Sequence, residues 1–547
     1  MKPSTGTHLP GWGERQREVE PIECEVVGSL PPGLEGALYR LGGAWYYPPK
    51  FEDDILLHAD GIVSMFRIAD GRVTYAARYV ETERLAANRE KERMRFGYYR
   101  NRFTDDPDVQ HLNAGAANTT AFAHGGRLFA LKEDSLPYLI DPETLETRGL
   151  YDFAGKVESR TFTAHPKIDG RTGEMVAFGY QARGNYSKDV HLWTFAPDGS
   201  LRHEIRIEVP WLDMIHDMAI TENYILLPLG GYHTSEEAAR AGGPMWRWDP
   251  DAPARIGILR RDGDGSDLRW FTGPKTCQLH TFNAWEEGDR ILFDAPFYCG
   301  NPFPFLKNRD GSSWSPEYGK AHLRRLHFDL ASSGNEWREE LLFEDTIGDL
   351  GDVDPRFMGQ RHRYCFGAMD VHADPSKPSA LWVMPNAYVR FDVEERRMSV
   401  LDLGAHYRAG ECRFVPRAPG AREGDGWLIG VVTNGATGCG ELVVADAQRL
   451  EEGPLARALL PFAAAPQVHG SWVPAGSLNL SWAGEGTRRS PAVGANPRMR
   501  SLQGERATPR TSEPSATLRT PVPRSAPRGR ALTQRSPTER ALPNDGR

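Results

Sequence analysis

Four histidines are the strongest chemical signal in this sequence. They stand in the segments "FTAHPKIDG", "DMIHDMAIT", "CQLHTFNAW" and "PQVHGSWVP", as His165, His216, His280 and His469. Neutral imidazole binds iron, zinc, copper or nickel, and the ligand set and geometry decide which metal is selected. A set without thiolates disfavours structural zinc, which prefers cysteine-rich tetrahedral sites. The four residues together predict a transition-metal site, although any one histidine in an apolar strand is more often a hydrogen-bonded core residue.

The spacing of these histidines restricts the fold that can bring them together. Successive members are 51, 64 and 189 residues apart, so no single helix or loop can present all four. From about residue 20 to 482, short apolar segments alternate with turn signals, which is typical of an all-β protein. Repeated strand-turn-strand units indicate a β-propeller, whose innermost strands face a common axis. Histidines on different inner strands would meet at that axis.

Two further parts of the chain depart from the strand pattern. The segment "ETERLAANREKERMRFGYYR" is rich in good helix formers and predicts a helix that ends near Gly97 and contributes to a cap over one propeller face. Residues 483–547 are rich in Arg, Pro and Ser and cannot bury enough apolar surface to offset chain entropy. We therefore predict an N-terminal extension over residues 1–20, a propeller domain over 21–482 and a disordered tail over 483–547.

Composition excludes several classes of protein. The formal net charge of −8 disfavours a general nucleic-acid binder, and no apolar run approaches the roughly 18 residues of a membrane-spanning helix. The first twenty residues lack the pattern of a secretory signal. The six cysteines have no CxxC spacing, which favours a reducing cytoplasm over a disulfide framework. Cys277 precedes His280 by three residues, and on a strand the two would face opposite sides.

The histidine segments resemble those of the carotenoid cleavage oxygenase family. The resemblance covers about residues 20 to 480 and includes "YRLGGAWYYPP", "HADGIVSMFRI", "AHPKIDGRTGE", "IHDMAITENY", "HTFNAWEEGDRILFD" and "VHGSWVP". It implies a seven-bladed propeller with a cap over the iron face, and one Fe(II) per chain held by the four histidines. It also implies cleavage of a carbon-carbon double bond by O₂, which gives two carbonyl products.

The resemblance further implies that acidic residues hold three of the histidines. A carboxylate that accepts the distal N–H of a metal-bound imidazole fixes its tautomer and raises its basicity. Glu133 would support His216, and Glu411 would support His469. Behind His280 the family usually has Glu, whereas this chain has Asp349 in "GDLGDVDPRF". Because Asp is one methylene shorter, either the backbone comes closer to His280 or a water intervenes.

Two segments, "FGYYRNRFTDDPDVQ" and "LFALKEDSLPY", resemble the branch of the family that cleaves lignostilbenes and related stilbenes. In that branch a Tyr and a Lys grip the substrate 4-hydroxyl, which implies Tyr99 and Lys132 here; Thr119 matches a Thr beside the iron. A buried ammonium favours phenolate, whereas a carotenoid has no phenol and would leave the Lys desolvated. As strand neighbours, Lys132 and Glu133 are expected to face opposite ways, towards substrate and metal.

Three hypotheses for function follow. The favoured one is cleavage of the central double bond of a 4-hydroxystilbene, such as lignostilbene or resveratrol, into two aromatic aldehydes. The second is the same iron centre acting on a carotenoid or apocarotenoid, which would need a longer apolar tunnel. The third is a propeller that has lost activity and serves as a binding scaffold. The role of Phe305, as part of a slot for aromatic rings or as loop filling, stays open, as does the oligomeric state, for which a homodimer is one option.

Overall fold

The computed structural model describes residues 15–274, 276–344, 348–372, 385–478 and 487–488. The chain divides into two compact units, residues 1–493 and 494–547, and all described residues belong to the first. The predicted tail lies outside the described residues except for Thr487–Arg488, a two-residue strand that pairs with Leu150 and Tyr151.

The described residues are mostly strand. The strands of the N-terminal half are β1 Val19–Glu23, β2 Glu25–Gly28, β3 Gly36–Ala44, β4 Asp60–Ala69, β5 Arg72–Tyr79, β6 Thr120–His124, β7 Arg127–Leu131, β8 Tyr138–Ile140, β9 Thr147–Tyr151, β10 Lys167–Ile168, β11 Met175–Tyr180, β12 Asp189–Phe195, β13 Leu201–Glu208, β14 Ala219–Ile220, β15 Tyr224–Leu229, β16 Tyr232–His233, β17 Arg247–Trp248 and β18 Ala254–Arg260. Those that follow are β19 Arg269–Gly273, β20 Cys277–Gln278, β21 Asn283–Glu287, β22 Arg290–Tyr298, β23 Ala321–Asp329, β24 Arg338–Phe343, β25 Gly348–Val353, β26 Tyr364–Met369, β27 Ala387–Asp392, β28 Arg397–Asp402, β29 Tyr407–Pro416, β30 Gly426–Asn434, β31 Cys439–Asp446, β32 Ala456–Leu459, β33 His469–Pro474 and β34 Thr487–Arg488. The helices are α1 Glu83–Glu90 and α2 Glu236–Arg240.

These strands form seven blades, which confirms the predicted propeller. Blade 1 is β33, β3, β4, β5 and β1, and blade 2 is β6 to β9 with β34; a single parallel pair, His469 with Thr120, joins their inner strands. Blade 3 is β10 to β13, blade 4 is β14, β15, β18 and β19, and blade 5 is β20 to β24. Blade 6 is β25 to β28, and blade 7 is β29 to β32 with β2. Two strands close the ring of blades: the N-terminal strand β2 pairs within the last blade, and the C-terminal strand β33 pairs within the first.

Burial along the strands follows their place in the blade. In blade 3, β11 and β12 are buried at every residue, because neighbouring blades cover both faces of a middle strand. The outermost strand, β13, carries charged residues at exposed positions between buried isoleucines. This difference produces the alternating and continuous apolar segments seen in the sequence.

A two-glycine turn places the end of β7 near the axis. Gly125 and Gly126 connect β6 to β7 with φ of 57° and 73°. Positive φ at both central residues is the requirement of a type I′ hairpin turn, which glycine meets without strain. The tight turn fixes the register from Thr120 paired with Leu131 to His124 paired with Arg127. Lys132 and Glu133 therefore emerge directly at the inner end of blade 2.

The cap comes from one connection between blades and one connection within blade 4. Residues 80–119 join blades 1 and 2 and include α1, and the β15–β18 connection contributes β16, α2 and β17. The side-chain amide of Asn101 in the first connection donates to the carbonyl oxygens of Ala239 and Gly243 in the second, each at 2.8 Å. These bonds hold the two connections together above the propeller.

The predicted helix of the cap is shorter than expected. It begins after Thr82, whose side chain accepts from the Leu85 N–H, but it ends at Glu90 rather than near Gly97. Glu92 has a φ of 50°, which no α-helix continues through. The chain then turns back, and the side chain of Asn88 accepts from the N–H of buried Arg95 at 3.0 Å. The helix therefore ends earlier than its residue propensities predict, and the chain that follows it buries Arg95.

Among the described residues, no helix is long and apolar enough to span a bilayer.

Candidate metal centre and active site

Each blade supplies one residue to a polar group at the propeller axis. The histidines come from blades 3, 4, 5 and 1, as His165, His216, His280 and His469. The carboxylates come from the other three blades, 2, 6 and 7, as Glu133, Asp349 and Glu411. The histidines precede or begin the innermost strands instead of lying within them. The inner ends of the seven blades thus bring together residues that no single helix or loop could present.

The four histidine rings converge on one point. The Nε2 atoms of His165 and His216 are 3.1 Å apart, and those of His216 and His280 are 3.2 Å apart. One ligand atom from each of the four rings lies within 4.8 Å of the others. The Nε2 atom of His469 is buried without a hydrogen-bond partner among the described residues. Converging, unprotonated imidazole nitrogens of this kind fit a bound metal ion.

The ring environment favours the neutral form for two of these histidines. Burial lowers the pKa of His469 to about 4. Burial, followed by the neighbouring rings, lowers the pKa of His165 well below its ordinary value. A metal ligand must offer a lone pair, so both rings are prepared for binding at neutral pH.

Three of the four rings donate their outer N–H to a carboxylate. The Nδ1 of His216 lies 2.5 Å from Oε1 of Glu133. The Nδ1 of His469 lies 2.9 Å from Oε1 of Glu411. Burial opposes ionisation of Glu133, but Lys132 and His216 outweigh it and hold the pKa of Glu133 well below its usual range. Each carboxylate thus fixes which ring nitrogen carries the proton, leaving Nε2 for a metal.

Asp349 reaches His280 directly. Its Oδ2 accepts from the Nδ1 of His280 at 2.9 Å and from the hydroxyl of Tyr298 at 2.7 Å. The register of β25 shifts between Asp349 and Asp352, and Leu350 has a φ of 57°. This bulge brings the backbone towards the ring, so the first of the two alternatives for the shorter acid is the one observed. Tyr298 gives no signal in the sequence, because it lies in an apolar strand like many tyrosines.

Glu411 is itself held by two arginines that the sequence analysis did not identify. Its Oε2 accepts from Nη1 of Arg40 at 2.6 Å and lies 3.1 Å from Nη2 of Arg413. Arg40 is fully buried in the middle of β3. A charged residue in an otherwise apolar strand, as in "LYRLGG", is the signal that could have revealed it, since buried charges require a partner.

A cavity of about 80 Å³ opens onto three of the four histidines, His216, His280 and His469. Tyr99, Lys132 and Thr119 all line it, so the structure brings the sequence-predicted substrate residues to the metal centre. Most other lining residues are apolar, among them Leu56, Leu57, Met214, Leu279, Phe303 and Leu350. Phe305 is not among the lining residues; its ring packs against Phe303 at a centroid distance of 5.3 Å. A largely apolar cavity with a few polar groups suits an aromatic ligand.

Lys132 and Glu133 do not face opposite ways. β7 ends at Leu131, and both residues lie in the turn that follows, where strand alternation no longer applies. Both line the cavity, with the Lys132 Nζ 3.9 Å from Oε2 of Glu133. Nζ also lies 5.2 Å from the centre of the Tyr99 ring. Burial lowers the pKa of Lys132 against the opposing effect of Glu133.

Tyr99 and Thr119 are each fixed by a neighbour. The Tyr99 N–H donates to Oδ1 of Asp54 at 3.0 Å, while Tyr98 points away and bonds Asp53. The Thr119 hydroxyl donates to Oδ1 of Asn118 at 3.0 Å. The backbone oxygen of Thr119 accepts from the N–H of His469, which ties this residue to a metal ligand.

A second buried group of metal-type side chains lies apart from the axis. We call Asp294, His362 and Cys365 the Asp294 group. The carboxylate of Asp294 accepts two bonds from Arg325, at 2.7 and 2.8 Å. Cys277 belongs to neither group; it is buried on β20, and burial raises the pKa of its thiol well above the ordinary value.

Comparison with known proteins agrees with this geometry. The family model described as retinal pigment epithelial membrane protein matches residues 13–474. Lignostilbene-alpha,beta-dioxygenase isozyme III of Sphingomonas paucimobilis is 35% identical over 467 residues, covering 84% of this chain and 95% of the relative. Isoeugenol monooxygenase of Pseudomonas putida is 36% identical over 463 residues, covering 83% and 95%.

A solved structure extends the likeness to the fold. The crystal structure of Pseudomonas brassicacearum lignostilbene dioxygenase matches with a TM-score of 0.82 at 36% identity, covering 86% of this chain and 99% of that one. The family match extends over most of the chain, and the relatives are oxygenases. The chain therefore belongs to the carotenoid oxygenase family, and it is an alkene-cleaving oxygenase.

Proposed function

We propose that the protein uses Fe(II) and O₂ to cleave the central double bond of 4-hydroxystilbenes into two aromatic aldehydes. The observation that carries the proposal is the position of Lys132, a buried cation that lines the same cavity as His216, His280 and His469. Ferrous iron held by those histidines would supply the activation of O₂. We assign the activity to residues 21–482, with one iron per chain.

Lys132 and Tyr99 provide the polar end of the cavity. A phenol that binds beside the Lys132 ammonium loses its proton more readily, because the adjacent positive charge stabilises phenolate. Phenolate passes electron density through the ring to the conjugated alkene and makes it more reactive towards oxygen. Tyr99 would orient the same oxygen, and Thr119 would limit access beside the metal. Glu133, Asp349 and Glu411 would hold His216, His280 and His469 in position.

The two relatives support a phenolic substrate. Their names specify lignostilbene and isoeugenol, and both compounds carry a phenol conjugated to an alkene. The second candidate, a carotenoid or apocarotenoid, offers no group to Lys132 and would leave a buried ammonium against hydrocarbon. All six cysteines are unpaired thiols, which supports a reducing compartment such as the cytoplasm.

A substrate comparison tests this proposal. The purified chain, loaded with ferrous iron, is incubated in air with resveratrol, isoeugenol or an apocarotenal, and aldehydes are identified by mass spectrometry. We expect aldehydes from the phenols. Aldehyde from the apocarotenal alone would overturn the stilbene assignment, and a chain that binds no iron would favour the inactive scaffold.

The Lys132→Met variant tests the role of the cation. We expect kcat/KM for resveratrol to fall by about 10- to 100-fold, the range for losing a hydrogen bond to a charged group. The preference for 4-hydroxystilbene over its 4-methoxy ether should fall with it. Lys50→Met is the matched control, because Lys50 pairs with Asp106 near the cap and does not line the cavity. Equal turnover by Lys132→Met and wild type would remove this explanation of specificity.

A further inference from the structure

Gln467 lines the substrate cavity with an amide whose orientation is fixed. Its Oε1 accepts from Nε of Arg40 at 3.0 Å. A guanidinium can only donate, so the amide oxygen must face Arg40 and the amide NH₂ must face the other way. The orientation of this amide is therefore determined by chemistry.

Arg40 cannot release Gln467 easily. It is fully buried and also donates to Oε2 of Glu411 at 2.6 Å and to the backbone oxygen of Val468 at 2.9 Å. A flipped amide would place two N–H donors against the guanidinium and leave its Nε unpaired in the core. Arg40 thus holds two side chains: Glu411, which bonds His469, and the amide of Gln467.

The other amide of the cavity behaves differently. The Nδ2 of Asn118 donates to the carbonyl oxygens of Leu57 and Ala59, at 2.9 and 2.7 Å, and its Oδ1 accepts from Thr119. Asn118 therefore has no N–H donor left for a ligand. The Gln467 Nε2 contacts no acceptor among the described residues, so it remains a neutral hydrogen-bond donor in a largely apolar cavity.

We propose that the Gln467 Nε2 donates to a second oxygen of the substrate, other than the phenol oxygen at Lys132. This inference rests on the proposed function and adds to it a preference for substrates that carry two or more oxygen substituents. The ligand group is a neutral acceptor, a hydroxyl or methoxy oxygen, because the donor is uncharged. A site built to hydrogen-bond an oxygen discriminates against the analogue that lacks it.

Two matched substrate pairs test the preference. One pair is resveratrol and 4-hydroxystilbene, and the other is isoeugenol and 4-propenylphenol; in each pair the second compound lacks the additional oxygens. For Gln467→Leu we expect the kcat/KM ratio within at least one pair to fall by about five- to tenfold. The pair that changes identifies which ring carries the second oxygen. Unchanged ratios in both pairs would overturn the inference.

A second variant distinguishes two roles of Gln467, donation of a hydrogen bond to the substrate and acceptance of the hydrogen bond from Arg40. Gln467→Glu keeps an acceptor for Arg40 but loses the N–H donor, so the same ratio should fall while iron content stays at the wild-type level. A retained ratio in Gln467→Glu, or an equal loss on all four substrates with loss of iron, would show that Gln467 acts only through Arg40. If the wild type cleaves none of the phenols, the proposed function fails instead.

Discussion

Two groups of metal-type side chains lie in the part of the chain that the structure describes, and of these two only the four-histidine group has nitrogens free to bind a metal. In the four-histidine group, carboxylates take the outer N–H of three rings, and the inner Nε2 atoms face one another at 3.1 and 3.2 Å. In the Asp294 group, protein partners occupy the side chains. The list of ligand types is therefore a weaker guide than the direction of the lone pairs.

The hydrogen bonds of His362 show why the Asp294 group differs. Its Nδ1 lies 3.2 Å from Nδ2 of Asn283, which can only donate, so Nδ1 accepts and Nε2 carries the proton. That N–H lies 3.3 Å from Asp294 and 3.1 Å from the Cys365 sulfur. A protonated nitrogen has no lone pair for a metal, and Arg325 already neutralises Asp294. Four predictions test this contrast.

The largest difference should follow from removing one histidine of each group. His280→Ala should weaken iron binding by about 100- to 1000-fold and abolish activity, because the binding free energy of a four-ligand site, roughly 10–16 kcal/mol for structural zinc, is shared among its ligands. His362→Ala should retain one iron per chain, measured by metal analysis after ferrous loading. Loss of iron from His362→Ala would remove the distinction between the groups.

Breaking the ion pair of the Asp294 group should affect stability. Arg325→Met leaves a buried carboxylate without its partner and should lower the free energy of unfolding by about 3 kcal/mol. Burial opposes the low pKa of Asp294 in the wild type, and Arg325 and His362 together outweigh it.

The stability difference between Arg325→Met and the wild type should depend on pH in a defined direction. Without Arg325, burial raises the pKa of Asp294, so the folded variant gains a proton as pH falls from 7 towards 4. The stability gap to the wild type should narrow over that range in urea unfolding experiments. A gap that widens at lower pH would contradict the pairing.

Weakening a carboxylate support should have an intermediate effect. Glu411→Gln should lower metal affinity by about 10- to 100-fold, since the ring loses its charged acceptor. Glu441→Gln is the matched control, because Glu441 is equally buried in blade 7 but pairs with Arg457. Iron titration of both variants measures the difference, and equal affinities would argue against a supporting role for Glu411.

The smallest effect should come from Cys365. Its thiol is a weak hydrogen-bond partner of His362, so Cys365→Ala should cost about 1 kcal/mol of stability or less and leave iron content unchanged. Thermal unfolding and metal analysis of the same preparation provide both values. A fall in iron content here would show that the Asp294 group takes part in metal binding.

The sequence predicted the fold and the site residues better than it predicted the local conformation of the chain. The propeller could be predicted because blade strands show their burial as alternating or continuous apolar segments. The helix boundary could not, since Glu92 leaves the helical conformation so that Arg95 can be buried. The opposite orientation of Lys132 and Glu133 was also wrong, because strand alternation stops where β7 ends at Leu131.

The four histidines and their three carboxylates could be predicted from the sequence, because each stands in a segment with its own recognisable residues. The tertiary fold sets how these residues are held: Arg40 lies 371 residues from Glu411 and 427 from Gln467. It also decided that a bulge at Leu350 brings Asp349 to His280. Hydrogen bonds between segments so distant depend on the closure of the seven-bladed ring, which no local pattern encodes.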